Sequence, residues 1–162
     1  MELEKILGAL RGNGVEFVLI GGAAMSIQGS AYVTLDVDIC YLRTPENMNR
    51  LAAALQTHHP QLRGAPSGLP FCLDANTLAR GLNFTLTTDL GDIDLLGEVS
   101  GLGSYASVKA ESEPVEVFGA TCLVLSIAGL IRSKRAAGRP RDLAVLPELE
   151  ALQELRQRLE EK

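Results

Sequence analysis

Gly21-Gly22-Ala23-Ala24, followed ten residues later by Thr34-Leu35-Asp36-Val37-Asp38-Ile39, is the stretch on which the reading of this chain turns. Val15-Glu16-Phe17-Val18-Leu19-Ile20 before it has the character of a buried strand, which the two glycines stop. Ala23 to Gln28 then predicts a short helix closed by Gly29-Ser30, and Asp36 to Leu42 predicts a second strand. Side chains alternate across a strand, so Asp36 and Asp38 project from one face, within about 7 Å of each other, while Val37 and Ile39 face the core. Two adjacent carboxylates repel, and a strand that carries them offers them to a cation or to water. Oxygen-only ligands suit Mg²⁺, which takes one or two carboxylates and completes its shell with water and substrate phosphates. The Gly21-Gly22 pair, at a strand-to-helix turn, is where bare backbone N–H groups approach a phosphate closely. Neither GxxxxGK[ST] nor a full GxGxxG is present, so this is not a P-loop. Cys40 shares the face of the two aspartates, and as a lone thiol it reads as packing.

A third acidic element lies downstream. Leu82 to Thr88 and Asp92 to Leu96 predict a hairpin through Asp89-Leu90-Gly91. Within Asp92-Ile93-Asp94-Leu95, Asp94 has the better setting for a carboxylate delivered by the sheet, and Asp92 at the hairpin is the alternative. Three carboxylates, two metals and a triphosphate together support in-line nucleotidyl transfer. A basic cluster adds to this. Arg132, Lys134, Arg135, Arg139 and Arg141 fall within ten positions of a protein whose 20 acidic residues outnumber its 15 basic ones. The stripe Ile127, Leu130, Ile131 extends at helical spacing to Lys134, which therefore leans toward the core side, within reach of a triphosphate, unlike Arg132 and Arg135.

The rest of the chain frames these residues. Leu3, Ile6, Leu7 and Leu10 predict an amphipathic opening helix ended by Gly12-Asn13-Gly14. Thr44-Pro45 is an N-cap followed by proline at the first helical position, with Met48, Leu51, Ala52 and Leu55 forming the apolar face of the helix it opens. Residues 58–70, rich in proline and glycine, predict a loop, with His58-His59 at a helix end, and Asp74 caps a short helix. Val115 to Phe118 and Thr121 to Leu125 predict a second hairpin about Gly119-Ala120. Ser126 caps a helix to about Ala137, stopped by Gly138 and Pro140, and the tail from Arg141 continues as helix with Leu149, Leu152, Leu155 and Leu159 in one stripe. The expectation is an α/β (α+β) mixed sheet flanked by helices, with a two-helix C-terminal end: a single domain over 1–162, its core about 1–125 and its C-terminal helices about 126–160.

Composition narrows the function. With 162 residues and a net charge of −5, the chain is no globally basic nucleic-acid binder. Its longest apolar run, Val18 to Met25, is too short for a membrane span. The opening Met1-Glu2-Leu3-Glu4-Lys5 has no basic segment ahead of a long apolar one, so no secretory signal and a cytoplasmic location are expected. Three scattered cysteines form no disulfide framework, and no Ser/His/Asp triad can be assembled.

A hydrophobic strand ending in Gly21-Gly22, Asp36-x-Asp38 on a second strand and a lone aspartate on a third resemble the nucleotidyltransferase superfamily that includes DNA polymerase beta. More narrowly, Gly21-Gly22-Ala23-Ala24 … Thr34-x-Asp36-x-Asp38 with Lys134-x-x-Ala137-x-Arg139-x-Arg141-Asp142 resembles the minimal bacterial nucleotidyltransferases and the abortive-infection toxin nucleotidyltransferases. The similarity spans roughly residues 15–145. It implies Mg²⁺ or Mn²⁺ on Asp36, Asp38 and Asp94, and a nucleoside triphosphate such as ATP at Gly21, Gly22, Thr34, Lys134 and Arg141. It also implies transfer of the nucleotide to an acceptor, often a tRNA end, in a toxin–antitoxin setting. Recognition of the acceptor then falls to the C-terminal helices, a homodimer or a partner protein. Two positions depart from the toxin pattern: Tyr32 stands where an arginine is usual, and Val145 where a further acid is usual. They favour, as the alternative, a non-catalytic module of the same fold that binds nucleotide or a partner protein.

Overall fold

The computed structural model describes residues 1–66 and 68–162. Within a seven-stranded sheet lies β1 (Phe17–Ile20), an interior strand of four consecutive buried residues. A strand with no polar alternation is covered on both faces. β1 pairs antiparallel with β2 (Asp36–Tyr41) and parallel with β9 (Ala120–Leu125). Beyond β2 come β5 (Gly91–Leu96), parallel to it, then β4 (Asn83–Thr88) and β3 (Gln61–Leu62), each antiparallel to its neighbour. β8 (Ser112–Val117) closes the other edge against β9. The sheet is mixed, as expected. Val37, Ile39, Ile93 and Leu95 are fully buried on one side of β2 and β5, which turns the intervening aspartates to the opposite side.

The helices follow their sequence signals. α1 (Leu3–Gly12) buries Ile6, Leu7 and Leu10. α2 (Gly21–Ile27) starts at the glycine pair itself. α3 (Pro45–Gln56) is capped by the Thr44 side chain, which accepts from the Asn47 N–H, and α4 (Ala75–Arg80) is capped by Asp74. α6 (Ile127–Ala137) begins at Ser126 and ends where Gly138 adopts φ 66°. The short α7 (Pro140–Ala144) turns the chain into α8 (Leu146–Glu160), which packs back on α6. Among the described residues, no helix is long and apolar enough to cross a membrane.

Three places differ from expectation. The segment 58–70, read as loop, contains β3, whose Gln61 and Leu62 register with Thr87 and Leu86; Ser67 of that segment lies outside the described residues. A two-residue strand leaves no periodicity among turn formers, and only the open edge of β4 calls it into existence. Residues 97–114 carry no clear periodic signal, yet they form the small ribbon β6 (Glu98–Val99) and β7 (Gly103–Ser104), then α5 (Tyr105–Ala110). The leucine stripe of α8 packs only over its first half: Leu149 is buried, whereas Leu155 and Leu159 are exposed. Over that length α8 is tied down by polar contacts instead, with Arg156 reaching Glu113 and Gln28.

One buried polar side chain joins the layers. Asn47, on the inner face of α3, accepts from the Glu16 N–H at 2.7 Å and donates to the carbonyls of Glu16 (3.0 Å) and Leu42 (2.8 Å). It therefore ties the entry to β1 and the exit of β2 to one helix. Asn47→Ala is expected to destabilise the protein by about 2–3 kcal/mol, the cost of orphaning buried backbone groups. Urea unfolding should show a lower midpoint with an unchanged slope.

Candidate functional site

Register brings the acids together. In the parallel β2–β5 pair, Asp36 lies opposite Asp92 and Asp38 opposite Asp94, so four aspartates share one face of two adjacent strands. Asp36, Asp38 and Asp94 each present a carboxylate oxygen within 4.8 Å of the others. Such crowding perturbs Asp38 most. Its burial, then the negative charges of Asp36 and Asp94 and a hydrogen bond with Asp94, raise its pKa to about 7, against the partial relief of Lys134. Asp38 Oδ1 is buried with no hydrogen-bond partner among the described residues. A buried carboxylate oxygen without a partner is costly, and the three carboxylates form a set of hard oxygen donors of the kind that suits a divalent cation.

The surrounding residues fix these side chains in place. The Thr34 hydroxyl lies 2.8 Å from Asp36 Oδ1 and accepts from the Asp36 N–H at 3.3 Å. The loop carrying Thr34 is itself anchored by α8, whose Glu148 accepts from the Ser30 hydroxyl and the Ala31 N–H. Gly21 adopts φ 64°, and a Cβ there would meet Asp38 Oδ2 at 2.1 Å; at Gly22 it would meet Thr34 and Tyr32 below 3 Å. The glycine pair thus makes room for the side chains of the site, as well as leaving its own backbone bare.

Part of the basic cluster shares a cleft with the acids. This cleft, of about 230 Å³, is lined by Asp36, Asp38 and Asp94 together with Lys134, Arg139 and Arg141, with Gly22 and Thr34 also at its wall. Gly21 opens onto a smaller adjoining cavity of about 110 Å³, which Lys134 and Arg139 also line. Lys134 lies 3.3 Å from Asp142, a carboxylate 1% exposed, which also holds Arg139 at 2.6 Å. Burial alone would raise Asp142, but hydrogen bonds and charge from Arg139 and Lys134 outweigh it and hold the group below the usual carboxylate range. Arg132 and Arg135 point away, to Glu111 and Glu150. Cys40 is buried, and that burial pushes its thiol up to about 12, which makes it an inert packing group. His59 pairs with Asp89, far along the edge of the sheet. The two positions that depart from the toxin pattern, Tyr32 and Val145, both line the cleft.

Of Asp92 and Asp94, which the sequence left as alternatives, Asp94 has a carboxylate oxygen within 4.8 Å of those of Asp36 and Asp38, and Arg63 touches both: Nε lies 3.2 Å from Asp92 Oδ2 and Nη2 2.8 Å from Asp94 Oδ1. Arg63 is a residue of this site that sequence reasoning missed. It follows β3, the strand hidden in the supposed loop, and no pattern marks it. Asp142 and Arg139 belonged to the quoted C-terminal motif, and their spacing of three residues was the available signal for their pairing.

These elements compose a nucleotidyltransferase fold: a mixed sheet with a glycine-pair turn, an Asp-x-Asp strand and a third aspartate on the neighbouring strand. Solved structures show the same fold over nearly the whole chain. One is TM1012 from Thermotoga maritima, a protein assigned as a nucleotidyltransferase, with TM-score 0.53 and 17% identity over 99% of this chain and 91% of that one. Another is ANT(2″)-Ia in complex with adenylyl-2″-tobramycin, with TM-score 0.57 and 13% identity over 98% and 95%. The solution structure of the antibiotic-resistance factor ANT(2″)-Ia aligns with TM-score 0.55 and 14% identity over 97% and 90%. No family model matches the sequence, and no curated protein does.

The raised Asp38 has a thermodynamic sign. Between its ordinary value of 3.8 and about 7, the folded protein binds a proton that the unfolded chain has lost. Stability in the absence of metal therefore falls as pH rises through this window, and the penalty is complete above about 7. Asp38→Asn is expected to raise the melting temperature of the metal-free protein at pH 8 by at least ~3 °C, with the gain shrinking toward pH 5. Differential scanning calorimetry across that range, with chelator present, reads both.

Gly21→Ala should act in the opposite direction. Its Cβ would strike Asp38 Oδ2 in a backbone conformation that disfavours alanine, which predicts a loss of about 1–3 kcal/mol at every pH.

Proposed function

We propose that this protein is a divalent-metal-dependent nucleotidyltransferase that moves a nucleoside monophosphate from a nucleoside triphosphate to an acceptor hydroxyl. The observation that carries this reading is the three-carboxylate cluster, whose buried Asp38 Oδ1 has no partner among the described residues, lining one cleft together with Lys134, Arg139 and Arg141. Asp36, Asp38 and Asp94 are the residues that would hold Mg²⁺ or Mn²⁺. When bound, such an ion neutralises triphosphate charge and sharpens the acceptor oxygen as a nucleophile.

The protein's own groups do the rest. Lys134, Arg139 and Arg141 bind triphosphate oxygens by charge-assisted hydrogen bonds. The backbone of Gly21 and Gly22 and the Thr34 hydroxyl line the path of the phosphates. Asp142 spaces Lys134 and Arg139 so that both face the cleft, an arrangement that orients the α-phosphate for in-line attack. The acceptor oxygen forms a bond to the α-phosphorus, the α–β bridge breaks, pyrophosphate leaves, and the acceptor proton passes to one of the three carboxylates.

The acceptor in this reading is a tRNA end and the nucleotide ATP, in a toxin-like or stand-alone enzyme comprising one domain over 1–162. The C-terminal helices, a homodimer or a partner protein supplies the remaining acceptor contacts. A polyhydroxylated small molecule is the competing acceptor, since one solved structure of similar fold holds adenylyl-2″-tobramycin. A second reading, a nucleotide-binding module without turnover, draws on Tyr32 and Val145 in the cleft wall. Incubation with each α-labelled nucleoside triphosphate and Mg²⁺, with total tRNA, aminoglycosides or protein as acceptor, separates these. Label transfer that chelator and Asp38→Asn abolish supports the enzyme; tight binding with no transfer to any acceptor supports the module.

Lys134 and Arg132 make a paired control. Lys134→Ala is expected to weaken triphosphate binding by about 1–3 kcal/mol, the range for a lost charged hydrogen bond. Arg132→Ala, tied to Glu111 away from the cleft, should change it by much less. Calorimetric titration of the two variants with the same triphosphate reads the difference, and equal losses would reduce the cluster to a diffuse positive field.

A further inference from the structure

Strand β5 offers two aspartates on the same face, Asp92 and Asp94, each in register with an aspartate of β2. Strand geometry alone does not choose between them, because residues two apart on a strand project alike. The choice lies with Arg63. Its backbone N–H donates to the Thr85 carbonyl, and Thr85 is the β4 residue opposite Asp94. From there the side chain crosses β4, donating from Nη2 to the Leu86 carbonyl at 2.8 Å. The guanidinium then meets both aspartates along one edge: Nη2 donates to Asp94 Oδ1 at 2.8 Å, and Nε lies 3.2 Å from Asp92 Oδ2 without hydrogen-bond geometry. The Arg63 side chain is 30% exposed, so these pairs are partly shielded from water and stronger than open surface pairs.

We infer that Arg63 is a positioning residue that selects Asp94 over Asp92 as the third carboxylate of the site, an inference that rests on the metal-dependent reading above. It holds one oxygen of Asp94 and leaves that carboxylate's remaining acceptor capacity to the cluster with Asp36 and Asp38. The charge of the same guanidinium, 3.2 Å from Asp92 Oδ2, keeps Asp92 outside the cluster. A point charge on a flexible stem does not serve two carboxylates in this way, which sets arginine apart from lysine here. Residues that orient a metal ligand from behind it typically change metal affinity by about 10–100-fold when removed. Removal of Arg63, however, also frees Asp92 to take part. The diagnostic quantity is therefore the preference between the two aspartates, more than the affinity itself.

The test is calorimetric titration of the full chain with Mn²⁺ alone, without nucleotide, on Asp92→Asn and Asp94→Asn, each with Arg63 intact and again with Arg63→Met. With Arg63 present, Asp94→Asn should weaken Mn²⁺ binding at least tenfold and Asp92→Asn less than twofold. With Arg63→Met, the two losses should converge to within about threefold of each other. Arg63→Gln, which keeps one hydrogen-bonding arm, should give an intermediate ratio and substitutes for Arg63→Met if that variant does not fold. An unchanged ratio in both Arg63 variants overturns the inference, since charge neutralisation or general stabilisation would shift both losses alike. Equal losses with Arg63 intact overturn it as well. An unsubstituted protein that binds no Mn²⁺ brings down the metal-dependent reading itself, and the inference with it.

Discussion

Everything in this molecule answers to one pairing. The parallel register of β2 on β5 sets Asp38 beside Asp94 and Asp36 beside Asp92. Four like charges on one face of two neighbouring strands are an arrangement a sheet alone would not tolerate. The fold sets cations beside it instead: Arg63 in contact with Asp92 and Asp94, and Lys134 and Arg139 in the cleft that Asp36, Asp38 and Asp94 also line. What remains uncompensated is concentrated on Asp38, whose pKa is raised first by burial and then by the charges of Asp36 and Asp94, and whose Oδ1 has no partner among the described residues. A titratable group perturbed in this way beside a cleft marks a candidate functional site.

The supporting structure is arranged around that point. Core residues on the far side of β2 and β5 fix the strands, so that the aspartates have no freedom to splay apart. Gly21 clears the space into which Asp38 turns. On the cationic side, one buried carboxylate, Asp142, holds Lys134 and Arg139 together, and loss of either partner would leave that charge exposed to its own burial. The C-terminal helices act in the same way at longer range: α8 anchors the loop before β2 through Glu148, although half of its leucine stripe stays in solvent.

Much of this was legible residue by residue. The parity of Asp36 and Asp38 about Val37 and Ile39 predicts which side faces the core, because strand alternation is a local property. Capping by Thr44, Asp74 and Ser126 was equally local, since each cap satisfies the first turn of its own helix. The leaning of Lys134 toward the cleft side, against Arg132 and Arg135, came from helical spacing. Arg63 was not legible at all. Its significance depends on a two-residue edge strand and on a reach across β4, neither of which leaves a trace in nearby sequence. The short ribbon and α5 between residues 97 and 114 were hidden for a similar reason: they are too brief for periodicity, and α5 is held by its contacts with the sheet.

The sequence by itself determined the longer elements, the faces they bury apart from the second half of α8, and the presence of acidic and basic groups that a nucleotidyltransferase fold could gather. These follow from periods of two and 3.6 and from capping chemistry, which act over a few residues. Only the tertiary structure decided which aspartate of β5 joins Asp36 and Asp38, which cations face them, and how Asp142 divides itself between Lys134 and Arg139. Those outcomes depend on strand order and register between segments tens of residues apart. The physical reason is that charge pairing works across space at a few ångströms, whereas the sequence shows only distance along the chain.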